Sequence, residues 1–277
     1  LVMVRLSGFG QTGPYKDRPG FGAIGESMGG MRYITGYPDR APVRVGISIG
    51  DSLAAMFGVI GALTAIHHRA TSGKGQVVDV ALYESMFNLM EAVVPEYSGA
   101  GLIREPAGTT VTGIVPTNTY RCSDGKFVVI GGNGDSIFRR LMEGIGRQDL
   151  AEDPQLARNA GRVQREAEID AAIGGWCAAR PAAEVLALMD GKRVPAGPIY
   201  NVEDMFADPH FRARGLFERV EIDGKPLEIP ALMPRLQGTP GGTEWPGPAV
   251  GSHTDAVLGE VLGMDAQEIA ALRADGV

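Results

Sequence analysis

Gly50-Asp51-Ser52-Leu53-Ala54-Ala55-Met56-Phe57-Gly58-Val59-Ile60-Gly61-Ala62-Leu63-Thr64-Ala65-Ile66 carries one charge in seventeen residues and ends in His67-His68-Arg69. A Ser72-Gly73-Lys74-Gly75 turn follows, and then Gln76-Val77-Val78-Asp79-Val80-Ala81-Leu82. The first stretch predicts a buried helix over Leu53 to Ile66, with His67, His68 and Arg69 suited to its C-terminal dipole. The second predicts a strand with Val78, Val80 and Leu82 on one face. Tyr83 to Val94 returns to a helical pattern. Helix, strand, helix in this order predicts an α/β layer rather than separate all-α and all-β parts. At the head of it stands Asp51, after a glycine that lets another molecule approach the backbone and at the positive end of a helix. That suits an acid that must be ionised, fixed and reachable. It equally suits a helix N-cap.

On the N-terminal side, Leu1 to Leu6 reads as a strand running into the loop Ser7-Gly8-Phe9-Gly10. Ala23 to Tyr33 predicts a short helix weakened by Gly29 and Gly30. On the C-terminal side the texture changes near Gly99, where Gly, Thr and Pro mark a loop to Thr119. Ser123-Asp124-Gly125-Lys126 then predicts a hairpin, with helices at Ser136 to Ile145, Val163 to Ala179 and Ala182 to Met189. A second hairpin turns at Asp223-Gly224. Capping patterns at Ser252-His253-Thr254-Asp255 and at Asp265 open the last helices. These patterns predict an α/β large domain in 1–100, a smaller α+β domain in 101–205 and a C-terminal part, 206–277.

Composition narrows the function classes. The 277 residues are 44% hydrophobic and 21% charged, with a net charge of −7, which argues against a broad nucleic-acid surface. The two cysteines, Cys122 and Cys177, have no paired spacing and suit a reducing, cytoplasmic setting. The run Leu53 to Ile66 falls short of the roughly 20 residues that cross a bilayer, so no membrane partner is expected. A chain opening at Leu1 in a core strand reads as lacking an N-terminal portion.

Several motifs fail on context. Gly8-Phe9-Gly10-Gln11-Thr12-Gly13 matches a dinucleotide fingerprint, but Pro14 and Pro19 follow where a helix must begin. Gly131-Gly132-Asn133-Gly134-Asp135 is a glycine turn before a helix, able to bind an anion or to be closed by its own Asp135. Gly73-Lys74-Gly75 lacks the rest of a P-loop. The four histidines show no metal-ligand spacing and no G-x-S-x-G is present, so neither a metal site nor a serine hydrolase is predicted.

Taken in order, a set of segments resembles the family III CoA-transferases, the CaiB/BaiF family. They are Ser7 to Pro14, Arg18-Pro19-Gly20-Phe21, Gly50-Asp51-Ser52, Thr71 to Val80, Val194-Pro195-Ala196-Gly197-Pro198 and Gly251 to Leu258. The resemblance spans essentially the whole chain. It implies a Rossmann-like large domain formed by both ends of the chain, with the smaller α+β domain inserted, in a homodimer of two interlocked chains. It implies that Asp51 is the nucleophile, attacking an acyl-CoA thioester to form an aspartyl mixed anhydride. Ser7, Gly8, Phe9 and Gly10 would then lie along the pantetheine arm. Gly113, in Thr112-Gly113-Ile114-Val115-Pro116, occupies the place of a glycine-rich loop that shields the intermediates. Arg44, shortly before Asp51, is a candidate partner for a free carboxylate of an acyl group or acceptor, and Ala41-Pro42-Val43-Arg44-Val45-Gly46 resembles the dicarboxylate-using branch. Coenzyme A enters as a thioester substrate, with a small carboxylate as second substrate and no tightly bound cofactor.

Two other readings compete. A racemase of the same superfamily would need a proton-transferring His in the turn Arg18-Pro19-Gly20-Phe21, where this chain has Phe21. A non-catalytic truncated chain is the other, against which stands the presence of Gly50-Asp51.

Overall fold

β1 (Met3–Ser7) and β2 (Val77–Ala81) pair in parallel, Met3 opposite Val77 and Ser7 opposite Ala81. Parallel strands need a long crossover. Here it is supplied by α1 (Gly22–Met28), α2 (Met31–Ile34) and α3 (Ile49–Ser72). This computed structural model describes residues 1–276. α1 and α2 replace the single helix expected over Ala23 to Tyr33. The break falls at Gly29-Gly30, where Gly30 takes a φ of 91° that ends the helix.

α3 differs from expectation in three ways. It is 24 residues long, starting at an N-cap, Ser48, that makes no side-chain cap bond and ending at Gly73 with a φ of 72°. Asp51 therefore lies within the first turn and is not the cap. Nothing between Ile66 and Ser72 stops a helix, so the run extends past the apolar stretch. By length and composition alone it is long enough and apolar enough to cross a membrane. The expectation of a helix too short for that is corrected. The expectation of a buried helix is corrected as well. Gly50, Leu53, Ala54, Gly58 and Ala65 are buried, whereas Met56, Val59, Ile60, Leu63 and Ile66 are exposed. One side faces the β1–β2 pair, where Gly58 meets Val4 and Gly61 meets Val78. Parallel sheets are usually covered on both faces, yet Met3, Val4 and Leu6 of β1 are also exposed.

α4 (Leu82–Phe87) and α5 (Val93–Ala100) divide the helix expected over Tyr83 to Val94. β3 (Thr117–Arg121), β4 (Phe127–Gly131) and β5 (Ala196–Pro198) form an antiparallel sheet, and the hairpin expected around Asp124-Gly125 is present. α6 (Asp135–Gly144), α7 (Gln148–Ala151), α8 (Asn159–Gln164), α9 (Glu166–Ala178) and α10 (Ala182–Gly191) surround it. Val128, Ile130, Phe138, Leu141, Leu156, Ile169, Ile173 and Val185 pack there into a continuous core.

A buried cation ties this core to its loops. Arg162, fully buried, donates from Nε to the Val115 carbonyl (3.0 Å) and from Nη1 to the Leu156 carbonyl (3.0 Å). Its Nη2 donates to the Asn133 carbonyl (2.7 Å) and to Asp135 Oδ1 (2.9 Å). The glycine turn before α6 is thus tied to Arg162 through the Asn133 carbonyl and the Asp135 carboxylate. Arg162→Ala strands these acceptors, and we expect a loss of about 3–5 kcal/mol in urea unfolding. A loss under about 1 kcal/mol contradicts this account. Arg162, and after it Arg158, holds the Asp135 carboxyl below the usual carboxylate range. A carboxyl lowered on folding stabilises above its unfolded pKa, and that contribution fades as pH falls through the folded value. Asp135→Asn should therefore flatten stability against pH on the acid side.

The chain divides into two compact units, the first ending at Ile199 and the second starting at Tyr200. In the second, α11 (Val202–Ala207) opens with an Asn201–Asp204 capping box, and α12 (Pro209–Ala213) is capped by Asp208. β6 (Phe217–Ile222) and β7 (Lys225–Pro230) form the hairpin expected at Asp223-Gly224, both with positive φ. α13 (Thr254–Ala256) leads into a π turn, Val257–Val261, and α14 (Ala266–Ala274) starts at the Asp265–Glu268 capping box.

Candidate active site

The turn after β1 begins with Ser7, whose Oγ accepts the Gly10 N–H at 2.9 Å. Gly10 takes a φ of 86° and lies against Asp79 of β2, whose Oδ2 accepts the Gln11 N–H at 2.9 Å. The strand pair thereby clamps both ends of the Ser7–Gly10 turn. Phe9 is buried, 5.9 Å from the rings of Tyr15 and Tyr83, and it packs on Gly20. Phe9 therefore anchors the turn; Gly10 is buried beside it, and the half-buried Gly8 is the more reachable of the two glycines.

Gly8 joins this turn to the next. A Cβ on Gly8 would lie 2.9 Å from the Gly20 Cα, so two chain segments touch there without side chains between them. Gly20-Phe21-Gly22 then leads into α1 with Phe21 largely exposed. Gly22 meets Asp51. A Cβ on Gly22 would stand 2.3 Å from Asp51 Oδ2 and 3.0 Å from its Cγ, far inside van der Waals contact. Gly50 repeats the device, since its Cβ would lie 3.2 Å from the Gly22 carbonyl oxygen and 2.8 Å from Met86 Cε. Three glycine contacts thus carry the Ser7–Gly10 turn to within reach of one carboxylate. Asp51 itself is exposed and sits in the first turn of α3.

One helical turn beyond Gly22 on α1 is Glu26, only 2% exposed. Its Oε1 accepts the Val45 N–H at 3.1 Å, and its Oε2 lies 3.5 Å from Arg32 Nη2. Arg44, the preceding residue, is exposed and folds back along the same loop. Its Nε donates to the Val45 carbonyl (3.1 Å) and Nη2 to the Ile47 carbonyl (3.3 Å).

Gly113 is placed differently. Its carbonyl accepts Asn159 Nδ2 at 2.8 Å and Val115 N–H donates to Asn159 Oδ1 at 3.1 Å, so its described contacts are to α8 and none is to the Asp51 turn. Two cavities also lie elsewhere. One of about 340 Å³ is lined by Phe57, Ile60, Val78 and Ser85, among others, and one of about 610 Å³ by Asp135, Phe138, Arg140 and Leu156, among others. Asp51 lines neither and opens directly to the surface. Among the described residues no cluster of three or more His, Cys, Asp or Glu is arranged to hold a metal ion. Gly22, Glu26 and Asp79 escaped the sequence reading. Only the crowding of glycines in Gly20-Phe21-Gly22 marks one of them in the primary structure.

Residues 1–254 match CoA-transferase family III. The chain belongs to that family. Over its full length it is 47% identical to a succinyl-CoA–D-citramalate CoA-transferase of Chloroflexus aurantiacus, 69% of which it covers. It is 38% identical to the alpha subunit of a succinyl-CoA–L-malate CoA-transferase of the same organism, covering 99% of this chain and 64% of that one. The chain thus spans about two thirds of the length of these family III relatives. Among solved structures, a CaiB/BaiF family protein from Brucella suis is 32% identical with a TM-score of 0.77, covering 94% of this chain and 68% of that one. Rv3272 from Mycobacterium tuberculosis, at 23% identity, shares the fold with a TM-score of 0.80 over 92% of this chain and 68% of its own. The fold is therefore the mixed α/β fold of CaiB/BaiF proteins.

Proposed function

We propose that the protein moves coenzyme A from an acyl-CoA donor to a small dicarboxylate, with Asp51 as the acyl acceptor. The carrying observation is the Asp51 carboxylate itself: open to solvent, in the first turn of a 24-residue helix, and in contact with Gly22, two residues after the Gly20 that packs against Gly8 of the Ser7–Gly10 turn. One Asp51 oxygen attacks the thioester carbonyl, the C–S bond breaks and CoA thiolate leaves, giving a mixed anhydride. The thiolate then attacks the aspartyl carbonyl carbon, releasing the donor acid and leaving an aspartyl-CoA thioester. The acceptor carboxylate attacks that thioester to form a second anhydride, and the thiolate takes up the acceptor's acyl group. Asp51 is regenerated as carboxylate.

Carboxylates are weak nucleophiles, so such a step needs close placement. The Gly22 contact and the α3 dipole supply it. Gly8, half-buried, presents backbone to the pantetheine arm from a turn held by Ser7, Asp79 and the buried Phe9 and Gly10. Coenzyme A acts as substrate, and the chemistry requires no tightly bound cofactor. The dicarboxylate class is supported by relatives named for succinyl-CoA with D-citramalate, with L-malate and with mesaconate, and by one named for succinate and glutarate. Phe21 offers no proton, which disfavours the racemase.

The same reading includes a cytoplasmic homodimer of interlocked chains, each with a Rossmann-like large domain made from 1–100 and 206–277. The apolar residues left open on α3 and β1 support a covering partner. Gly113 would reach the site only through movement of its loop.

Incubating the full-length protein with succinyl-CoA and hydroxylamine should convert Asp51 to its hydroxamate, read by peptide mass spectrometry. Rapid CoA transfer with Asp51 unmodified would sink the assignment.

A further inference from the structure

Glu26 is a carboxylate shut away from solvent that the chemistry of Asp51 does not use. On α1 it lies four residues from Gly22, so the two share a face and are separated by about 6 Å along the helix axis. The first of these positions touches the Asp51 carboxylate, and the second receives the Val45 N–H. The loop carrying Arg44 is therefore registered against the nucleophile through one rigid helix. Arg44 adds its own two bonds to the carbonyls of Val45 and Ile47, which hold its guanidinium against the loop that runs into Asp51. Arg32 beside Oε2 keeps Glu26 paired in its buried setting.

We propose that Glu26 is a positioning residue for substrate selection, holding the Val45 backbone so that Arg44 meets the second carboxylate of a diacid whose other end is bonded to Asp51. This rests on the transferase reading and adds to it the residue that discriminates diacyl from monoacyl donors. A guanidinium recognises a carboxylate well only when its fork is held in place. An untethered loop arginine gives little selectivity, because the cost of ordering it offsets the contact.

The test uses the full-length protein with succinyl-CoA and butyryl-CoA, reading hydroxylamine-trapped CoA release as kcat/KM for each donor. Glu26→Ala should lower the succinyl-to-butyryl ratio about tenfold, while the butyryl value stays within about threefold of wild type. Glu26→Gln keeps an acceptor for the Val45 N–H and should retain the ratio. Arg44→Ala should lower the ratio as much as Glu26→Ala, and the double variant should lower it no further. If Glu26→Ala does not fold, the Glu26→Gln and Arg44→Ala pair still decides, since only the second should lose the ratio. An unchanged ratio in Arg44→Ala, or an equal fall for both donors in Glu26→Ala, overturns the inference. Absence of trapped release from both donors in the wild type overturns the transferase reading instead.

Discussion

Asp51→Asn should lower kcat for CoA transfer by at least about a thousandfold, because an amide cannot attack a thioester at a useful rate. The substitution keeps the shape of the side chain, and Asp51 is exposed with no described hydrogen bond to lose. Its thermal unfolding should therefore match that of the wild type within a few degrees. Binding of the donor should persist as well, since the Ser7–Gly10 turn is held by Ser7, Phe9 and Asp79 independently of Asp51. The measurement is a steady-state comparison with the hydroxamate assay run alongside. Activity within tenfold of wild type would remove Asp51 from the mechanism.

Gly22→Ala should separate activity from stability. Its added methyl would occupy a point 2.3 Å from Asp51 Oδ2, so the carboxylate must rotate away. That rotation is structurally cheap, because the atom displaced is the free end of an exposed side chain. Gly22 also lies in the first turn of α1 at a position where alanine is the better helix former, by up to about 1 kcal/mol. Stability should thus hold or rise slightly. Catalysis should not, because a displacement of about 1 Å at a reacting group is enough for a hundredfold loss. The expected result is kcat down about a hundredfold with an unchanged or higher melting temperature. If kcat is retained, the Gly22 contact has no part in aiming the carboxylate. Gly50→Ala is a contrasting control, since its methyl meets the Gly22 carbonyl and Met86 and should cost stability as well.

Local pattern foretold a good part of this molecule. The hairpins at Asp124-Gly125 and Asp223-Gly224 and the Asp265 cap follow from turn and cap chemistry that acts within a few residues. The strand before Ser7 and the strand at Val77–Ala81 were equally legible from short apolar runs. Where the pattern misled, the competing cause was also local. Gly29-Gly30 split one expected helix, and α4 and α5 split another. The three-residue strand Ala196–Pro198 was too short to leave a periodicity, and it exists because the edge of β4 lies beside it.

The acid at position 51 and the glycines around it can be read directly from the order of residues, because a charge at a helix start and a gap in side-chain volume are properties of single positions. Their meeting is different. Gly8 touches Gly20, Gly22 touches Asp51, and Glu26 holds Val45 only after α1 has packed against α3 and α4, since each contact joins segments whose spacing no local period encodes. Long apolar α3 likewise looked like interior from its composition. Only the packed chain shows which of its faces β1 and β2 cover and which they leave open.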